Sequence, residues 1–150
     1  MRLPHVQPFA KSPLYFFTAC TEQRRPLLAC ESSFALITEI WRNSAMHDGW
    51  LVGRFVLMPD HVHFFAMPAP DALPRASWHK LWKSVSSRRI AEALRIPPPI
   101  WQADTFDHIL RNPGSYGEKW NYVRENPVRQ GLVTRTEDWP WQGEINMLRF

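Results

Sequence analysis

Apolar positions along the chain fall into two spacings. Residues 14–20, LYFFTAC, make a short aromatic run that predicts a strand. TEQRRP (21–26) follows as a turn or loop carrying Arg24 and Arg25. Ser32 and Ser33 are suited to cap a helix over about residues 34–47, in which Phe34, Ile37, Ile40 and Trp41 share one face. Gly49 ends that helix. WLVGRFVLM (50–58) is strand-like, Pro59 and Asp60 make a tight turn, and HVHFFAM (61–67) returns as the partner strand of an antiparallel hairpin. PAPDALP (68–74) breaks regular structure. Helical spacing resumes over about residues 77–94, with Trp78, Leu81, Trp82 and Val85 as the apolar stripe. His79, Lys80, Lys83, Arg88 and Arg89 form a basic flank. Residues 96–100, with three consecutive prolines, predict a rigid extended spacer. FDHILR (106–111) reads as a strand, and a last helix runs from about 115 to 125, stopping before Pro127. The proline-punctuated start (Pro4, Pro8, Pro13) is expected to be an irregular arm. The tail with Trp139 and Trp141 shows no assignable period. The order predicts an α+β domain, a small antiparallel sheet with helices packed on it, with its core over about residues 14–133.

Composition narrows the function classes. A chain of 150 residues is one domain of ordinary size. No apolar run approaches the ~18 residues of a membrane span, and the first residues lack the apolar core of a signal peptide. Cys20 and Cys30 cannot make a disulfide scaffold or a cysteine-only zinc site, which sets a cytoplasmic location as the expectation. Lys and Arg total 18 against 14 Asp and Glu, and 14 of the 18 are Arg, the residue suited to gripping phosphate in a fork. Eight Trp, nine Phe and three Tyr add flat surfaces. Cations interleaved with rings suit single-stranded nucleic acid.

Three groups of side chains can carry chemistry. His61 and His63 lie two apart on a strand, so alternation puts both imidazoles on one face. They are two-thirds of a simple divalent metal site, or else two surface or core histidines. Tyr122 stands off the Tyr116–Trp120–Val123 stripe of the last helix, beside Lys119 and Asn126, as a candidate nucleophile or as a half-buried tyrosine at the core's edge. His108 is a third imidazole, read as a tautomer-fixing partner or a packed core histidine. Arg24 and Arg25, with Lys80, Lys83, Arg88, Arg89 and Lys119, are candidate phosphate contacts, or simply solvated charge. The cysteines read as small buried hydrophobes.

GRFVLMPDHVHFFAMP, WQADTFDHILRN and EKWNYVRENPVRQGLV, in that order and spacing, resemble the REP-associated tyrosine transposases, which are HUH single-tyrosine enzymes. The resemblance covers about residues 14–133. It implies a ferredoxin-like sandwich and single-stranded DNA beside hairpins of palindromic repeats as the substrate. It implies His61 and His63 as ligands of a divalent metal, Mg²⁺ or Mn²⁺, with Asn126 as the third ligand where related enzymes carry Gln. It also implies Tyr122 as the nucleophile, forming a 5′-phosphotyrosine; Lys119, one turn before Tyr122, is a candidate for easing loss of its proton. The protein would then work as a monomer or homodimer, associated with the nucleoid when bound to DNA. Two other readings stand beside it. One is a domesticated protein that binds repeat hairpins without mobilising DNA; the other is a metal-dependent RNA-binding or RNA-processing protein.

Overall fold

A computed structural model describes residues 12–149. The arm expected around Pro4 and Pro8 lies outside the described residues. Strand β1 (Leu14–Thr21) leads through a short 3₁₀ turn at Glu22–Arg24 to helix α1 (Glu31–His47). The hairpin β2 (Trp50–Leu57) and β3 (His61–Pro68) follows, then helix α2 (Arg75–Leu94) and strand β4 (Trp101–Leu110). Helix α3 (Pro113–Val123), the single-turn α4 (Asn126–Arg129) and the short strand β5 (Gln142–Glu144) complete the chain.

The sheet is antiparallel throughout, in the order β4-β1-β3-β2-β5. The βαββαβ path with β1 and β3 in the centre is the ferredoxin-like arrangement. Helices α1 and α2 cover one face. There Tyr15 and Phe17 of β1, Phe55 of β2 and Phe64 of β3 pack on Trp41, Trp78 and Trp82. The two helices also meet each other, with Trp41 and Trp82 rings 5.6 Å apart and Trp78 Nε1 donating to Ser44 Oγ at 3.2 Å. On the opposite face a second core gathers Leu14, Phe16, Val56 and Phe65 under Tyr116 and Val123 of α3. Strand alternation divides the two cores, since neighbours such as Phe64 and Phe65 point to opposite faces. Gly49, between α1 and β2, takes φ +79° while its N–H donates to Ser44 O. A side chain there would be strained and would meet Ala72 at 2.7 Å.

Several boundaries differ from expectation for identifiable reasons. Helix α1 starts at Glu31, and neither Ser32 nor Ser33 caps it; Ser33 is buried and donates to Leu27 O instead. The buried stripe of α2 is Trp78, His79, Trp82, Ser86 and Ile90, so Leu81 faces solvent and His79 leaves the basic flank for the core. Small Ser86 at the α2–β4 contact, accepting from Trp101 Nε1, sets that rotation. Strand β4 begins five residues before Phe106, because β1 is long enough to pair with it back to Trp101. Helix α3 starts at Pro113 under an Asn112 cap whose Oδ1 accepts from Ser115 N. It stops at Val123, earlier than expected, and Asn126 opens a separate turn. The tail is ordered by pairing: β5 extends the sheet beside β2, and buried Trp139 donates Nε1 to Leu57 O at 3.0 Å. Packing therefore continues past residue 133, with Trp139 and Leu148 in the second core.

Candidate active site

The candidate residues gather on the α3 face of the sheet. Across one row of the sheet, Phe106 of β4 pairs with Thr18 of β1, Thr18 with His63 of β3, and His63 with Val56 of β2. His61 sits two residues before His63 on the same face, as the alternation required. Their ring centroids are 4.9 Å apart. An ion held by two imidazole nitrogens at ~2.1 Å would place the centroids roughly 4.5–5.2 Å apart for angles between square and tetrahedral, so the spacing suits a shared metal.

Each ring has its Nδ1 engaged. Asp60 Oδ1 lies 2.8 Å from His61 Nδ1. Because an ionised carboxylate only accepts, this bond puts a proton on Nδ1, so Nε2 is the nitrogen that could ligate a metal. Arg24 Nε donates to the other oxygen of Asp60 at 3.0 Å. Burial pushes the Asp60 carboxyl up, but the hydrogen bonds from His61 and Arg24 outweigh it and hold it below the usual carboxylate range. His63 Nδ1 is 2.8 Å from Thr18 Oγ1, and its ring stacks on Phe16 at 5.4 Å. Burial, reinforced by the charges of His61, Lys119 and Arg129, pushes the His63 imidazole down to about 3. His63 is therefore neutral at any physiological pH, the form that ligates a cation.

Tyr122 is 64% exposed, whereas Tyr15 and Tyr116 are buried. Arg129 is its immediate partner. The Arg129 guanidinium carbon lies 4.1 Å from the Tyr122 ring centroid, and Nη2 donates to Tyr122 O at 2.7 Å and Asn126 Oδ1 at 2.6 Å. Arg129 thus ties the phenol, the amide and the electrostatics of His63 together. The Oδ1 of Asn126, the third ligand that the resemblance implies, accepts from Arg129. Among the described residues no group of three or more His, Cys, Asp and Glu is arranged to hold a metal. Lys119 stands 4.8 Å over the Phe16 ring and lines, with His108 and Tyr122, a depression of about 310 Å³. His108 is exposed there; it is neither a core histidine nor the partner of His61 or His63.

The expected phosphate contacts separate. Arg24 and Lys119 are on the histidine face. Arg25 donates to Pro97 O and Pro99 O and so braces the proline segment. Lys80 and Lys83 line a cavity of about 590 Å³ between α2 and β4, behind the sheet, with Arg75 and Asp107. Lys83 is committed there, donating to Gln102 O, Ala103 O and Thr105 Oγ1, and burial pushes its ammonium down. Arg88 and Arg89 lie on the same helix, Arg89 paired with Glu39. Cys20 and Cys30 are free thiols, each only half-buried. Asp60, Thr18 and Arg129 were not singled out from the sequence. Only Asp60, abutting His61, carried a local signal.

No family model matches the chain. It is 26% identical over 134 residues to the REP-associated tyrosine transposase of Escherichia coli K12, covering 89% of this chain and 77% of the relative. It is 23% identical over 145 residues to a putative REP-associated tyrosine transposase of Haemophilus influenzae, covering 89% and 80%. A solved REP-associated tyrosine transposase bound to a REP hairpin superposes with TM-score 0.68 and 23% identity over 89% of this chain and 78% of that one. A putative transposase of Deinococcus radiodurans R1 gives TM-score 0.56 at 18% identity, covering 76% and 90%. The chain is similar to REP-associated tyrosine transposases over nearly its whole described length, and the fold is theirs.

Proposed function

We propose that the protein is a divalent-metal-dependent single-stranded DNA endonuclease and strand transferase, acting beside hairpins of palindromic repeats. The observation that carries this is the pair of imidazoles, each with Nδ1 engaged, on the sheet face that α3, the helix of the exposed Tyr122, packs against. A Mg²⁺ or Mn²⁺ ion held by His61 and His63, with Asn126 as the third donor, would supply Lewis-acid polarisation of the scissile phosphate. The neutral ligand set keeps such a site electrophilic toward an anionic backbone. Asp60 and Thr18 hold the two rings in the ligating tautomer. Arg24, Lys119 and Arg129 add positive charge where phosphate would lie.

In the step that follows, the Tyr122 phenolic oxygen attacks phosphorus and the bond to the 3′-oxygen breaks. The phenol gives up its proton and the leaving 3′-oxygen takes one. A 5′-phosphotyrosine and a free 3′-hydroxyl result, and the phosphodiester energy is kept for joining a second strand. Arg129, against the Tyr122 ring, and Lys119, which lines the same depression as Tyr122, place positive charge there to meet an anionic strand.

The test is cleavage of a labelled single strand bearing a repeat hairpin, with Mn²⁺ against chelator, alongside the corresponding duplex. Metal-dependent cutting of the single strand is expected, abolished by His61→Ala and by His63→Ala with the melting transition retained. Hairpin binding with no cutting under any metal would replace this reading with that of a repeat-binding protein.

A further inference from the structure

Phe106 lies in the middle of β4, the edge strand of the sheet, and is 62% exposed. Its pairing with Thr18, which pairs in turn with His63, puts its ring on the histidine face, in the same row as His63. Two strand spacings, about 9.6 Å, separate the backbones of β4 and β3. His108, two residues on, pairs with Phe16 and shares the Tyr122 depression. No other ring or cation packs on Phe106 among the described residues. The two faces of β4 differ. The α2 side holds the Arg75–Asp107 ion pair, with exposed Ile109 beyond it, whereas the α3 side presents the exposed Phe106 ring, two residues along β4 from the His108–Phe16 pair over which Lys119 stands.

We propose that Phe106 is the base-stacking platform that positions the unpaired strand, receiving a base close to the phosphate held at His61 and His63. This rests on the functional reading above and extends it. An exposed flat ring accepts any base face, while the neighbouring cations take the backbone, a division of labour suited to single strands. Phe106 positions substrate and takes no part in bond-making.

The experiment uses a hairpin-bearing single strand with 2-aminopurine placed in turn at each unpaired position beside the hairpin. In the wild-type protein, fluorescence is expected to be quenched at one position. Phe106→Ala is expected to lose that quenching and bind about tenfold more weakly, by the same factor at low and high salt, because stacking releases no counterions. The loss should fall on KM rather than kcat, and Phe106→Trp should restore it. Ile109→Ala, on the other face of the same strand, should match wild type. Unaltered quenching and affinity in a folded Phe106→Ala protein would overturn the platform, as would a loss that changes the salt slope. A wild-type protein that quenches but never cuts would overturn the cleavage reading and leave the platform standing. Cutting by both wild type and Phe106→Ala at equal KM would do the reverse.

Discussion

Replacing Thr18 by Val removes one hydroxyl and little else. Valine matches threonine in shape and suits a central strand such as β1. The substitution deletes the 2.8 Å contact to His63 Nδ1 and leaves that nitrogen without its partner. A lost hydrogen bond with one buried group unsatisfied costs about 1–2 kcal/mol, and the added methyl contact on the Phe16 face offsets part of it. For 150 residues the melting temperature should fall by roughly 2–5 °C and the fold should survive. Metal binding should respond more strongly. A Thr18 hydroxyl that accepts from Nδ1–H would keep the His63 lone pair on Nε2. Without it the ring divides between tautomers, and only stacking on Phe16 restrains its rotation. Removal of such a supporting contact weakens metal affinity about 10- to 100-fold. Calorimetric titration with Mn²⁺ at pH 7.5, using His63→Ala as the floor, reads the effect directly. Wild-type affinity in a folded Thr18→Val protein would refute the idea that this hydroxyl orients His63 as a ligand.

Three further outcomes are expected. Burial, with the charges of Lys83 and Arg75 in the same direction, pushes the His79 imidazole down to about 4, and Trp82 Nε1 donates to its Nδ1. The unfolded chain binds a proton near pH 6.5 that the folded chain refuses. Stability from His79 is therefore full above pH 6.5 and is lost as pH falls toward 4, by about 3 kcal/mol in all. Urea unfolding at several pH values should show His79→Gln with a shallower decline than wild type, and parallel curves would disprove it. Gly53→Ala should destabilise by about 1–3 kcal/mol through overpacking. Its Cβ would lie 2.6 Å from Leu148 Cδ1 and 2.8 Å from the Tyr116 hydroxyl, so an unshifted melting curve would contradict that packing. Tyr116→Phe should keep DNA cleavage, since its hydroxyl is spent accepting from Arg54 N; a cleavage assay reporting inactivity would contradict the assignment.

Local rules carried the sequence reading as far as local rules apply. The Pro59–Asp60 turn and the alternation after it put His61 and His63 on one face without knowledge of any neighbour. Helical spacing set Tyr122 apart from Tyr116 in the same way. What stayed hidden depends on contacts far apart in the chain. Thr18 reaches His63 only through the β1–β3 register. The basic flank of α2 is a real feature of that helix, but the crossover connections put α1 and α2 together behind the sheet. Four of the expected phosphate contacts therefore lie away from the histidines. Arg25 looked like Arg24 in sequence, yet one braces prolines and the other holds Asp60. His79 was assigned to the wrong face because the stripe was counted from Leu81 and Val85, whereas packing against β4 selected Ser86.

The measurement that bears most directly on the central claim is mass-spectrometric mapping of the protein–DNA adduct formed with hairpin-bearing single-stranded DNA and Mn²⁺. Tyr122 should carry the 5′-phosphate in the wild-type protein. Tyr122→Phe, which removes one exposed oxygen, should lose adduct and cleavage together while keeping hairpin affinity and melting temperature. An adduct that persists in Tyr122→Phe, or maps to Tyr15 or Tyr116, would contradict the mechanism.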